Sequence, residues 1–66
     1  MTREQKIDWL RKADTETLLK QYETCVRKMD HIFEIAGSGR ETLESISENY
    51  DLTRAEVISR MTGGKE

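Results

Sequence analysis

The chain has 66 residues, of which 35% are hydrophobic and 36% charged, and its formal net charge is −2. A chain of this length forms one domain at most and buries only about 60% of its unfolded surface. Its single cysteine excludes an internal disulfide framework, and the lack of a signal-peptide-like start or of about 20 successive apolar residues leads us to expect a soluble, cytoplasmic protein.

The first helix is predicted from Thr2 to Lys12 or Ala13. Thr2 and Gln5 have the spacing of a capping box, in which each side chain bonds the backbone N–H of the other residue. Helix-favouring residues continue along the rest of the chain, which contains no proline and no run of strict apolar–polar alternation. The expected fold class is therefore all-α.

The exposure of Trp9 in this first helix has two possible interpretations. The residue lies beside the short apolar stripe formed by Ile7 and Leu10, so it is either half exposed as a binding residue or buried against the next helix. Burial is the interpretation that we favour from the sequence.

The longest helix is predicted over residues 15–36, with a cap signal at Asp14. Its apolar residues recur every three or four positions and describe one face: Leu18, Tyr22, Cys25, Val26, Met29, Ile32, Phe33 and Ala36. Gly37 is the expected left-handed residue after the last turn. A helix of this length spans about 33 Å, which is longer than so small a domain needs, so part of it is predicted to serve an interface.

Two short helices are predicted in the last third of the chain, over residues 40–49 and 53–61. Ser38 and Thr53 are the predicted caps, and Glu56 completes a capping box with Thr53. The residues expected to face inward are Leu43, Ile46, Tyr50, Leu52, Val57 and Met61. The predicted architecture is a bundle of three or four helices with a C-terminal helix-turn-helix-like hairpin, a single domain over residues 1–62, and a flexible tail at residues 63–66.

The segment LTRAEVISRM, with the preceding turn at Asp51, resembles the helix-turn-helix of small bacterial and phage regulators. The resemblance covers residues 43–62 and departs at Asp51, where those motifs usually have glycine. It implies a dimeric transcriptional regulator whose last helix lies in the DNA major groove. Carried over to this chain, it implies DNA contacts by Thr53, Arg54 and Ser59, with Arg54 on guanine and Thr53 on a phosphate.

The same helices can instead serve packing and protein contact, and the charge distribution favours this use. Residues 40–66 carry four basic and six acidic residues, whereas affinity for DNA comes largely from phosphate neutralisation. The function that we favour is therefore a small intracellular binding or regulatory protein that acts through helical surfaces on a protein partner or on a second copy of itself. Its predicted interface residues are Trp9, Tyr22, Met29 and Phe33.

No constellation of residues indicates catalysis or a bound ion. Cys25 and His31 are the only soft metal ligands, and a separation of six residues turns them to different sides of a helix. Cys25 is predicted to lie in the core and His31 at the surface. We therefore expect no enzyme, no cofactor, no metal site, no small-molecule substrate and no membrane contact.

Overall fold

The computed structural model describes residues 2–63, and this part of the chain forms four α-helices. They are α1 (Arg3–Lys12), α2 (Thr15–Asp30), α3 (Ile32–Gly37) and α4 (Leu43–Met61). The predicted all-α bundle is confirmed. The predicted tail at residues 63–66 lies outside the described residues except for Gly63, which follows α4 with a φ of 75°.

The starts of α1 and α2 follow from the polar side chains that precede them. The Oγ1 of Thr2 accepts a hydrogen bond from the backbone N–H of Gln5 at 3.2 Å, and the Oε1 of Gln5 accepts one from the backbone N–H of Thr2 at 2.9 Å. At α2 the Oδ1 of Asp14 accepts from the backbone N–H of Thr17 at 2.8 Å. These bonds satisfy donors that the first helical turn leaves free, so both predicted caps are confirmed.

The helix predicted over residues 15–36 is interrupted at His31, so its predicted continuity is wrong. His31 is exposed, as predicted, and its φ of −116° and ψ of 25° separate α2 from the short α3. The break directs α3 towards α4, with which it is in contact. Gly37 ends α3 without left-handed backbone, and the left-handed residue of the following connection is Gly39, with a φ of 78°.

The helix-turn-helix-like hairpin predicted within residues 43–62 is absent, because α4 continues without interruption through Asp51 for 19 residues. This segment contains neither glycine nor proline, so a continuous helix needs no special backbone conformation. Thr53 and Glu56 consequently lie inside the helix, and the capping box predicted for them does not form.

Thr42, and not Ser38, begins α4. The Oγ1 of Thr42 accepts a hydrogen bond from the backbone N–H of Ser45 at 3.0 Å. Ser38 instead follows the end of α3, where its hydroxyl donates to the backbone oxygen of Ile35 at 2.7 Å. The serine side chain therefore closes one helix, while the threonine four residues later opens the next.

α1 packs against α4 and runs in the same direction. The Nζ of Lys6 lies 2.9 Å from the Oε1 of Glu48 in the first half of α4. Near the other end of α4, a guanidinium nitrogen of Arg60 lies 3.0 Å from the backbone oxygen of Leu10 near the end of α1. Both helices therefore begin at the same end of the bundle.

α2 packs against a different side of α4 and runs in the opposite direction. Lys28, near the end of α2, pairs with Glu41, which precedes α4, at 2.8 Å. Arg60, near the end of α4, reaches the hydroxyl of Thr15 at the start of α2 at 3.4 Å. Since α4 supports both other long elements, it is the central helix of the fold.

The core is small and lies between α4 and the two helices beside it. Its buried side chains are Leu10, Leu18, Cys25, Ile46 and Thr53. The Sγ of Cys25 donates to the Oγ1 of Thr53 at 3.7 Å, and the amide of Gln21 donates to the same sulfur at 3.7 Å. The predicted core position of Cys25 is confirmed, and Thr53 enters the core with its hydroxyl paired, as a buried polar group requires.

Arg60 binds the end of α1. Its guanidinium donates to the backbone oxygens of Leu10 at 3.0 Å, Arg11 at 3.3 Å and Ala13 at 2.5 Å. Carbonyls at the end of a helix lack helical partners, and a cation there also interacts favourably with the helix dipole. The Oε2 of Glu56 accepts from the Nε of Arg60 at 3.0 Å and so orients the guanidinium.

Acid is expected to destabilise this fold through Asp14 and Glu48. Hydrogen bonding from Thr17 lowers the pKa of the Asp14 carboxyl, and the hydrogen bond from the Lys6 ammonium lowers the pKa of Glu48. The folded pKa values therefore lie below the unfolded values of about 3.9 for Asp and about 4.3 for Glu. Their contribution to stability is present above those unfolded values and lost as the pH falls through the folded ones, so the urea midpoint should decrease between about pH 6 and about pH 3.

The double variant Asp14→Asn, Glu48→Gln should lose less of its urea midpoint over the same pH range, because neither amide titrates. Asn is itself a good N-cap residue, so the start of α2 is preserved. Glu44→Gln is the matched control, since Glu44 is exposed on the same helix as Glu48 and makes no salt bridge among the described residues. An acid-induced loss as large in the double variant as in the unchanged protein would contradict this prediction.

Candidate functional site

α4 carries an exposed stripe on the side that faces away from α1. Leu43, Tyr50, Arg54 and Met61 follow one another at intervals of seven, four and seven residues, which places them along one side of the helix, and Ile58 lies beside them four residues after Arg54. Leu52, two residues from Tyr50, lines the groove between α4 and α1. Two residues correspond to about 200° of rotation around a helix, so the stripe lies almost opposite the contact with α1.

α2 carries a second stripe, formed by Leu19, Tyr22 and Val26 at intervals of three and four residues. Gln21 points to the other side of α2, where it lines a cleft together with Leu10 of α1. The stripe on α2 therefore also faces away from α1, and it lies beside the stripe on α4.

The rings of Tyr22 and Tyr50 join the two stripes. Their centroids are 6.0 Å apart and their planes meet at 25°, which is a stacked arrangement. Interaction with the Tyr22 side chain raises the pKa of the Tyr50 phenol. We call this surface of α2 and α4 the open face, and its apolar and aromatic members are all exposed or half-buried: Leu19, Tyr22, Val26, Leu43, Tyr50, Ile58 and Met61.

Three residues of the open face were predicted to face inward and are not buried, so for these the prediction is wrong: Met61 is 80% exposed, Leu43 is exposed and Tyr50 is only half-buried. Val26, which the sequence placed on the apolar face of the second helix, is exposed as well. α4 contacts α1, α2 and the short α3, and none of these helices buries Leu43 or Met61. The signal that sequence analysis missed is a second stripe displaced by one residue from the buried one, with Leu19 after Leu18 and Val26 after Cys25.

Charged residues border the open face. Glu23 and Asp30 line a shallow hollow on α2 together with Tyr22 and Val26, and the exposed Arg54 lies on the stripe of α4. Neither acidic residue makes a salt bridge within residues 2–63, and nor does Arg54. The surface thus has an apolar and aromatic centre with charges available at its edge.

The structure separates the three residues that the helix-turn-helix resemblance placed on DNA. Thr53 is 1% exposed and bonded to Cys25 in the core, so its predicted contact with a phosphate is wrong. Ser59 is half-buried in the groove against α1, and Arg54 is exposed on the open face. Since the three side chains diverge around a single helix, they form no common DNA-reading surface.

The four residues predicted to form a protein interface are likewise divided among several surfaces. Tyr22 lies on the open face, whereas Met29 is half-buried and Phe33 on α3 is 81% exposed. Trp9 lies on α1 and is 44% exposed, so the burial favoured from the sequence is incomplete. Its ring borders a cleft of about 220 Å³ that is lined also by Leu10 of α1 and by residues of α2 and α4. This volume is smaller than that of the usual ligand pocket, about 300–1,000 Å³.

Neither a membrane-spanning helix nor a metal-binding cluster is found in the part of the chain that the structure describes. No helix there is both long enough and apolar enough to cross a membrane. No group of three or more His, Cys, Asp or Glu side chains is placed to hold a metal ion.

No protein-family model, curated protein or solved structure matches this chain. Its function is therefore inferred from the surfaces of the molecule. Among these, the open face combines the largest number of exposed apolar side chains with a stacked aromatic pair and unpaired charges at its border.

Proposed function

We propose that this protein is a small regulatory binding protein that acts through protein–protein contact at the open face. The observation that carries the proposal is the exposure of five large apolar side chains on one side of the α2–α4 pair: Leu19, Val26, Leu43, Ile58 and Met61. Monomeric proteins rarely leave an apolar patch of more than a few hundred Å² uncovered unless the patch serves an interaction.

The composition of the open face also fits a protein interface. Tyrosine is enriched at the centre of interfaces, where it supplies a large rigid ring and a polar hydroxyl, and Tyr22 and Tyr50 occupy the middle of this surface. The charged side chains of Glu23 and Asp30 lie at its border, as is usual for the rim of an interface, and Arg54 lies on the stripe of α4. α2 and α4 are antiparallel, and a helical partner would lie along the pair.

The proposal is tested by site-specific crosslinking in cells that contain the full chain. A photoreactive benzophenone side chain at position 26 should give discrete crosslinked products, because Val26 lies within the open face. The same side chain at position 12 is the control, since Lys12 is exposed on α1, outside the open face, and should give none. Products of equal yield at both positions, or no product at position 26, would contradict the proposed function.

A further inference from the structure

We infer that the partner of the open face is a second copy of this chain, bound in a two-fold dimer in which α4 of each copy lies over α2 of the other. The inference rests on the proposed function and names the partner for the same surface. Two-fold dimers are the commonest closed assemblies, and each copy contributes the same patch. Three properties of the open face support this arrangement: its helix directions, its charges and its area.

The helix directions within one copy fit a four-helix bundle. α2 and α4 are antiparallel, as Lys28–Glu41 at one end and Arg60–Thr15 at the other establish. A two-fold axis parallel to these helices places α4 of one copy against α2 of the second copy, and this pair is antiparallel too. All neighbouring helices then run in opposite directions, which is a common architecture for paired helices with a shared apolar centre.

The charges of the open face become complementary in this arrangement. Rotation about an axis parallel to the helices keeps every residue at its level along the bundle. Tyr50 is level with Tyr22 through their stacked rings, and Arg54 lies one turn beyond Tyr50. Because α2 and α4 are antiparallel, Glu23 lies one residue from Tyr22 towards the other end, so the tyrosine pair places Arg54 of one copy about 7.5 Å along the axis from Glu23 of the second copy. The buried Cys25–Thr53 contact sets the same two residues only about 1.5 Å apart along the axis, and the two long side chains bridge either distance.

The alternative two-fold arrangement, with α4 lying on α4, brings like charges together. The midpoint of α4 is residue 52, and an axis there is needed to cover the whole length of the helix. Arg54 is two residues from that midpoint, so the two copies of Arg54 would lie about 6 Å apart along the helix axis. Juxtaposed like charges in an interface are strongly unfavourable, so the observed charges favour α4 over α2.

The area of the open face is sufficient for a specific dimer. α4 has 19 residues and is about 28 Å long, and two helices of about 10 Å diameter side by side are about 20 Å wide. Such a surface covers about 560 Å² in each copy and about 1,100 Å² in total, which exceeds the roughly 1,000 Å² expected of a biological interface. The area is therefore above that threshold but below the roughly 1,200–2,000 Å² of stable complexes, so a dimer of modest affinity is expected.

The decisive experiment is sedimentation equilibrium of the purified full chain and of two charge-reversal variants. The unchanged protein should sediment with twice the mass of the 7.7 kDa chain. R54E and E23R, each alone, should raise the dimer dissociation constant by about tenfold or more, because every dimer then contains two like-charge contacts. An equimolar mixture should regain the original dissociation constant, since R54E facing E23R presents opposite charges at both contacts.

Matched measurements separate this inference from general effects on folding. Both substituted positions are exposed, so circular dichroism should show unchanged helix content in each variant. R11E is the control, because Arg11 is an exposed arginine on α1 outside the open face, and it should leave the dimer mass unchanged.

Three outcomes would overturn the inferred dimer. One is a monomeric mass for the unchanged protein at the highest soluble concentration, another is dimers of R54E and E23R as tight as the original, and the third is a mixture that dissociates like the single variants. A monomer that nevertheless crosslinks from position 26 to a different protein would refute the second copy as partner and leave the proposed function standing. A crosslinked product of twice the chain mass from position 26 would support both proposals, whereas a dimer that gives no crosslink from position 26 would show that the open face is not its interface.

Discussion

Leu18→Ala is expected to lower the free energy of unfolding by about 2–5 kcal/mol, the usual cost of removing a fully buried leucine from a packed core. Leu18 is 1% exposed on α2. A domain of this size has a total stability of only about 3–10 kcal/mol, so the variant should be partly unfolded at room temperature. The measurement is urea denaturation followed by circular dichroism at a low protein concentration, which keeps association out of the comparison.

The neighbouring Leu19 supplies a control of identical chemistry. It lies on the same helix and is 48% exposed on the open face, so Leu19→Ala should cost less than about 1 kcal/mol. If Leu18→Ala leaves no folded baseline, Ile46→Val, with an expected cost of about 0.5–1.5 kcal/mol, is compared with Ile58→Val, which should be nearly neutral. Equal losses within either pair would show that the assignment of core and surface sides is incorrect.

Arg60→Ala should be the next most damaging change, with a loss of about 2 kcal/mol, because hydrogen bonds from a charged donor are worth more than neutral ones. The substitution leaves the carbonyls of Leu10 and Ala13 without their donor and removes the partner of Glu56. The end of α1 should loosen first, and amide hydrogen exchange in α1 should rise more than in α2.

Arg60→Lys tests whether the geometry of the guanidinium matters beyond its charge. Lysine has a single ammonium and cannot contact several carbonyls and Glu56 together as the planar guanidinium does, so it should recover only part of the loss. Arg54→Ala is the control for removal of an arginine from the same helix, and it should change stability by less than about 0.5 kcal/mol in dilute solution. Full stability of Arg60→Lys would mean that charge alone is responsible.

The parts of the fold that the sequence predicted correctly are those governed by local chemistry. Thr2 with Gln5 and Asp14 with Thr17 form their caps within three residues, and the all-α class follows from composition and periodicity. The core position of Cys25 follows from its place on the apolar stripe of α2. The caps and the helical class do not depend on how distant segments pack, whereas the burial of Cys25 also needs α4 against α2.

The hairpin and the capping box predicted within α4 are wrong because of contacts between distant segments, whereas the errors at Gly37 and Ser38 are local. α4 packs against α1 with one side and against α2 with another, so its apolar residues do not form one stripe. Their pattern was therefore interpreted as two short helices. The Thr53 and Glu56 spacing resembles a capping box, but Thr53 pairs with Cys25 and Glu56 with Arg60. The open face was missed for the same reason, since an apolar stripe cannot by itself distinguish a surface that the chain covers from one that it leaves exposed.

The position of Arg60 affects when the protein can fold during its synthesis on the ribosome. α1 is synthesised before α4, yet its ion-pair partner Glu48 and the cation that binds its last turn belong to α4. Until α4 has emerged, the nascent α1 lacks these contacts and is too short to persist in water. The domain therefore closes only after α4 has been made, and a chain that terminates before residue 60 would leave α1 undocked and open to degradation.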